Sequence, residues 1–238
     1  MSMPARSGRG VAFFGGSFDP PHQGHLAVAR AAQLALDLDS VLFAPVGVQP
    51  LKPSGSRAAF VDRLAMTELA IQDQPNFSIS LIDAPAEGRA HYYTIDTLLL
   101  LRGQMSPDSS LYCLMGADSF RNLRSWHRGA EVPFVAPLIV VARPGQPLED
   151  MTPSLPSGLS INLYCRETCS AGGVELRSFT IRNESGTCAP FFLLPGLHID
   201  ISATEIRHRQ ATAADRRAAQ GLLPLSVREY IESHGLYR

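Results

Sequence analysis

The chain has 238 residues, of which 45% are hydrophobic and 18% charged, with a formal net charge of −1. That length is enough to bury one sizeable core, and the near-neutral balance gives no electrostatic reason to expect nucleic acid or an anionic membrane as partner, so any anion site must be local. The four cysteines lack paired C-x-x-C spacing, the N-terminal MSMPARSGRG has no apolar core of a signal segment, and no run approaches the roughly 18 apolar residues of a membrane span; a cytoplasmic protein with reduced thiols is expected.

Short apolar runs recur along the chain as VAFF (11–14), SVLFAP (40–45), FSISLI (77–82), LYCLMG (111–116) and APLIVVA (136–142). They are nearly continuous rather than alternating, which predicts strands buried on both faces. Helical stretches lie between them at 25–36, 57–72 and 94–102, and in the second Val61, Leu64, Ala65 and Leu69 fall on one stripe. Strand and helix alternating in this way predict a doubly wound α/β fold around a parallel sheet. Residues 1–10 read as a flexible N-terminus and 11–238 as a single domain. Within that domain, 144–190 is rich in Pro, Gly, Ser and Thr and reads as an irregular insertion, with a hairpin from INLYC and VELRSFTIR. Order returns with FFLLPGLHID and a small helical portion over 202–238, where Ser202 with Glu205 and Ser226 with Glu229 have capping-box spacing.

GGSFDPPHQGH (15–25) follows the first strand, where the ligand crevice of an open parallel sheet lies. Gly15, Gly16 and Ser17 let backbone N–H groups approach a phosphate, the next helix directs its positive end to the same place, and His22 and His25, three apart over its first turn, can both donate to phosphoryl oxygens. Later, Ser202, Thr204 and Arg207 in ISATEIR put hydroxyls and a guanidinium at another helix start, a second anion site that together with the first suits a triphosphate. Asp118 can accept from ribose hydroxyls, and Trp126, the sole tryptophan, can stack on an aromatic ring.

GGSFDPPHQGH resembles the GGxFDPxHxGH signature of the nucleotidyltransferase superfamily, which has a Rossmann-like fold. The resemblance implies that His22 and His25 bind ATP phosphates, with Gly15, Gly16, Ser17 and Phe18 beside the nucleotide. Four further strings are similar to the bacterial nicotinate (nicotinamide) mononucleotide adenylyltransferases: PVGVQPLKP, HYYTIDTL, LMGADSFRNLRSWHR and IDISATEIRHR. By that resemblance His22, His25, Lys52 and Arg207 supply the positive field for catalysis. Lys52, Tyr93, Thr94, Asp118, Trp126 and Arg143, the last from VVARPG, meet the acceptor nucleotide, and Thr94 has the further role of capping its helix. In the first string Gln49 to Lys52 replaces the usual P-P-H-K, so its His is missing. The implied activity is adenylyl transfer from ATP to nicotinate mononucleotide, giving deamido-NAD and pyrophosphate in NAD biosynthesis. Mg²⁺ would come with ATP and no protein metal site is expected. Nicotinamide mononucleotide or phosphopantetheine as acceptor, a non-catalytic nucleotide-binding module, and a homo-oligomer remain open.

Overall fold

The computed structural model describes residues 10–48, 55–89, 91–142, 152–171, 174–195, 197, 201–209 and 220–237. Eight strands form one sheet: β1 Gly10–Gly16, β2 Ser40–Pro45, β3 Phe77–Ile79, β4 Ser110–Gly116, β5 Leu138–Val141, β6 Leu159–Ala171, β7 Val174–Asn183 and β8 Cys188–Leu194. Their spatial order is β3-β2-β1-β4-β5-β8-β7-β6. From β3 through β8 neighbouring strands are parallel, whereas β8, β7 and β6 are joined as antiparallel pairs. The helices are α1 Gln23–Leu36, α2 Phe60–Ile71, α3 Thr94–Gln104, α4 Ala117–Arg121, α5 Val132–Val135, α6 Ala203–Arg209 and α7 Leu225–Ser233.

β1 shows why the runs carry so little alternation. Ala12 and Phe14 pack into one core with α1 and α2, while Phe13 points the other way into a core shared with α3 and α5. Both faces are covered, so every position is apolar. The order of the strands reverses between β1 and β4, which opens a crevice beyond their carboxyl ends. That crevice holds the cavity described below.

Four local expectations need correction. On α2 the buried face is Arg63, Met66, Thr67, Ala70 and Ile71, while Val61 is 68% exposed. Backbone carbonyl partners hold the Arg63 guanidinium inside, so the buried face is turned away from the stripe of Val61, Leu64, Ala65 and Leu69. Thr94 is the first residue inside α3, after Tyr93 at the N-cap, and caps nothing. Ser226 likewise lies inside α7, whose N-cap is Pro224; its hydroxyl donates instead to the Leu69 carbonyl at 3.1 Å. Gly10, read as the end of a loose N-terminus, is already in β1, where its N–H donates to Asp39 Oδ2 at 2.6 Å.

The hairpin expected from INLYC and VELRSFTIR is present, within a segment read as irregular, and is longer than those strings: β6 and β7 pair through Leu159–Asn183 to Ala171–Val174, with a register shift between Asn162 and Glu167. The polar residues that read as loop fit the exposed side of an edge pair, where one sheet face meets solvent. Ile161, Phe179 and Ile181 are buried in the core shared with α3 and α5, while Leu176, on the opposite face of β7, is buried in the core with α1 and α2.

Candidate active site

A cavity of about 800 Å³ lies across the ends of β1 and β4, within the range of small-molecule sites. Gly15, Gly16, Ser17, Phe18, His22 and His25 line it from the β1–α1 connection, and Ser202, Thr204 and Arg207 from the start of α6. Tyr93, Thr94, Asp118 and Trp126 line its other flank. Residues drawn from four separate strings of the sequence thus meet in one space. Lys52 and Arg143 lie outside the described residues.

The β1–α1 connection is shaped by packing as well as by its ligand face. A Cβ on Gly15 would come within 2.8 Å of the Phe13 ring, and one on Gly16 within 3.2 Å of the Phe18 ring. A side chain at Gly15 would displace the Phe13 ring, and one at Gly16 would press on the Phe18 ring, even before any ligand approaches. Phe18 has a left-handed backbone (φ 47) and is 2% exposed, with its ring edge-on to Phe14 at 5.6 Å and to His25 at 5.0 Å.

His22 occupies the N-cap of α1, and its backbone N–H donates to His25 Nδ1 at 3.2 Å. The two imidazoles stack with centroids 3.7 Å apart. Because Nδ1 of His25 accepts a hydrogen bond, the proton of its neutral ring sits on Nε2, which makes Nε2 the donor. His22 is 6% exposed, and burial pushes its pKa from 6.5 down to about 4. At neutral pH it is thus an uncharged hydrogen-bond donor, not the fixed positive charge that the sequence reading assigned to it. The lowered value has a stability consequence. An unfolded chain binds the proton near pH 6.5 and the folded chain only near pH 4, so stability that is full above the higher value is lost as pH falls through the lower one, by about 3 kcal/mol. Denaturant unfolding of the wild-type chain and His22→Asn at pH 7 and pH 4 checks this: the wild-type chain should lose about 3 kcal/mol more than the variant. Equal losses would contradict it.

Two buried groups that the sequence reading missed hold this loop. Arg63 is 1% exposed; Nη1 donates to the Ser17 carbonyl at 2.7 Å, and Nη2 to the carbonyls of Val46 and Gly47 at 2.7 and 3.3 Å. Burial lowers its pKa, against the nearby Asp19 carboxylate, which raises it. The guanidinium therefore bolts the β1–α1 connection to the end of β2. Asp19 itself is 5% exposed, and its carboxylate accepts the N–H groups of Arg57 at 2.7 Å and Ala58 at 3.1 Å. A carboxylate sunk beside an aromatic and prolines has no role in composition-based reading, and the fit of its partners comes only with the fold.

Arg207 reaches the same loop from α6. Its Nη1 donates to the Asp19 carbonyl at 2.6 Å and its Nη2 to Thr204 Oγ1 at 3.0 Å. The anion site expected at α6 and the one at α1 are therefore parts of a single wall.

On the other flank Tyr93 stacks between His127, at 4.3 Å, and His91, at 5.3 Å. Trp126 is half-buried against the core beneath. The chain turns back after Trp126 through Gly129, where a Cβ would sit 2.3 Å from the Leu123 carbonyl oxygen, so only glycine lets the loop close. Asp118 lies in the first turn of α4, just past β4, exposed and hydrogen-bonded by Arg121 at 2.9 Å. Asp83 also lines the cavity, is 4% exposed, and accepts from Thr97 Oγ1 at 2.6 Å and from Arg89 at 3.3 Å. Burial raises its pKa, with Thr97 and Arg89 acting in the opposite direction. Thr97 belongs to the TIDTL string; fully buried, it stands behind the wall and supports it through Asp83. Among the described residues no group of His, Cys, Asp or Glu is arranged to hold a metal ion.

The cytidylyltransferase-like family matches residues 13–209. The probable nicotinate-nucleotide adenylyltransferase of Thermomicrobium roseum is 36% identical over 228 residues, covering 96% of this chain and 91% of that protein. The corresponding protein of Thermus thermophilus is 35% identical over 230 residues, covering 96% and 99%. In fold, the chain is similar to the Plasmodium falciparum nicotinic acid mononucleotide adenylyltransferase complexed with NaAD, with a TM-score of 0.68 over 96% of this chain and 97% of that one, at 17% identity. Matched over nearly its whole length by sequence and by fold, the chain belongs to the cytidylyltransferase-like family and, within it, to the bacterial-type nicotinate-nucleotide adenylyltransferases.

Proposed function

We propose that this protein transfers the adenylyl group of ATP to nicotinate mononucleotide, forming deamido-NAD and pyrophosphate in NAD biosynthesis. The observation that carries the reading is the shared cavity, with His22, His25 and Arg207 along one wall and Tyr93, Thr94, Asp118 and Trp126 along the other. One wall suits a polyphosphate and the other an aromatic nucleoside monophosphate, which are the two reactants of the transfer.

In the reaction an oxygen of the acceptor's 5′-phosphate attacks the α-phosphorus of ATP. The new P–O bond forms as the bond to the β,γ-pyrophosphate breaks in line, and pyrophosphate carries the electron pair away. The nucleophile is already an anion, so no general base is needed. The work of the protein is to align two phosphates that repel one another and to stabilise charge on the leaving group. His25 Nε2 and His22 donate to phosphoryl oxygens, and a phosphate beside His22 draws its pKa back up. Arg207, held by the Asp19 carbonyl, meets the leaving phosphates together with Ser202 and Thr204. Gly15, Gly16, Ser17 and Phe18 form the floor under the nucleotide. Tyr93, Thr94 and Trp126 enclose the pyridine ring, and Asp118 accepts from ribose. Lys52 and Arg143 are proposed as further phosphate contacts on the sequence resemblance. Mg²⁺ would come with ATP and offset the charge of its phosphates.

Nicotinate as acceptor is supported by the curated relatives, which are nicotinate-nucleotide adenylyltransferases. A cytoplasmic site of action is proposed on the sequence, whose four cysteines lack paired C-x-x-C spacing. Among the described residues no helix is long and apolar enough to cross a membrane. Initial rates of pyrophosphate release from MgATP with either nicotinate or nicotinamide mononucleotide test the reading. Higher kcat/KM with the acid is expected; preference for the amide would overturn the acceptor, and release with neither would overturn the activity.

A further inference from the structure

The C-terminal end of the chain reaches the loop that carries His22. Tyr237 has a left-handed backbone (φ 63), and its hydroxyl donates to Asp19 Oδ1 at 2.7 Å across 218 residues of sequence. Asp19 is too buried for water to satisfy its carboxylate, so protein donors must do so. Its other partners are the N–H groups of Arg57 and Ala58, just before α2, while Arg207 donates to its carbonyl and lies 3.9 Å from Oδ2. Asp19 therefore joins the His22 loop, the approach to α2, the guanidinium of α6 and the C-terminus.

The Tyr237 bond is not what docks α7. That helix is held on α2 by Ser226 to the Leu69 carbonyl, by Tyr230 Oη to Asp62 Oδ1 at 3.0 Å, and by the buried Val227 and Ile231. Tyr237 lies beyond these contacts and spends its hydroxyl on the catalytic loop. Burial raises its pKa well above the ordinary value, with Asp19 acting in the same direction. The hydroxyl stays protonated and remains a donor to a carboxylate, a charge-assisted bond.

We propose that Tyr237 is a positioning residue for adenylyl transfer: its hydroxyl fixes Asp19 and, through it, sets His22 and Arg207 where the phosphates of ATP are received. Tyr237 itself touches no substrate. The inference rests on the reading of the cavity given above, and its test separates the two.

Tyr237→Phe keeps the ring and removes only the donor. Its kcat/KM for MgATP should fall about tenfold, with KM for nicotinate mononucleotide within about twofold of wild type, because Asp19 adjoins the phosphate wall alone. Calorimetric titration with MgATP and no acceptor should show affinity reduced by a similar factor. A purely structural Tyr237 would lower the melting temperature and leave both quantities at wild-type values, and that result overturns the proposal. In an Asp19→Asn background the further Tyr237→Phe change should cost less than about twofold, since both changes remove one coupling; a full tenfold cost there would place the action of Tyr237 elsewhere and overturn it too. Should Tyr237→Phe not fold, Asp19→Asn alone decides: unchanged MgATP affinity in that variant overturns the proposal. If the wild-type chain binds MgATP but forms no dinucleotide, the acceptor reading has failed, and the MgATP titrations still judge Tyr237.

Discussion

His25→Ala is expected to lower kcat by about 10²–10⁴-fold while the protein remains folded. The imidazole is one turn into α1, stacked on His22 and fixed by the His22 N–H so that Nε2 is its donor. Alanine removes that donor from the place where charge builds on the phosphates, and it also frees the ring of His22. The fold survives because α1 is held by Leu26, Ala29, Ala32 and Leu36 on its buried face. The cost to stability should be that of a lost N-terminal bond, about 1 kcal/mol. Saturating kinetics together with thermal unfolding check this. Activity within tenfold of wild type in a folded variant would mean that the histidine pair does not contact the reacting phosphates.

Arg63→Met is expected to destabilise the fold by about 3 kcal/mol or more and to lower kcat/KM for MgATP as well. Methionine fills much of the same volume but leaves the carbonyls of Ser17, Val46 and Gly47 without the donors that Arg63 supplies. Each unpaired buried carbonyl costs on the order of 1–3 kcal/mol. Arg63→Lys should recover only part of the loss, because one ammonium cannot reproduce the fork that spans two loops. Urea midpoints for the three proteins supply the measurement. A change below about 1 kcal/mol in Arg63→Met would show that water or a shifted loop replaces the guanidinium without cost.

The two residues differ in how far the sequence reveals them. His25 sits in an eleven-residue string whose spacing carries its own chemistry, and the cavity brings it together with Thr94, Asp118, Trp126 and Arg207. Strand positions were equally legible, since a sheet covered on both faces needs unbroken apolar runs such as VAFF and SVLFAP. Arg63 was hidden by the ordinary rule that charge faces water, which holds until a ring of backbone carbonyls offers it partners. The hairpin of β6 and β7 was half visible, because edge strands with a solvated face share the polar composition of loops. Asp19 and Tyr237 were beyond reach for a different reason: their bond spans 218 residues, and neither residue has a local pattern that points to the other. Ser226 and Thr94 show the reverse error, in which a local capping pattern is overruled by where packing starts the helix.

The proposed transfer is a single displacement in which the acceptor's phosphate oxygen bonds to the α-phosphorus of ATP. Nicotinate mononucleotide labelled with ¹⁸O in its phosphate, incubated with MgATP and the wild-type protein and followed by mass spectrometry, tests it most directly. Deamido-NAD and pyrophosphate should form in equal amounts, with the whole label retained in the dinucleotide and none in pyrophosphate. Absence of the dinucleotide, or label appearing in pyrophosphate, would contradict it.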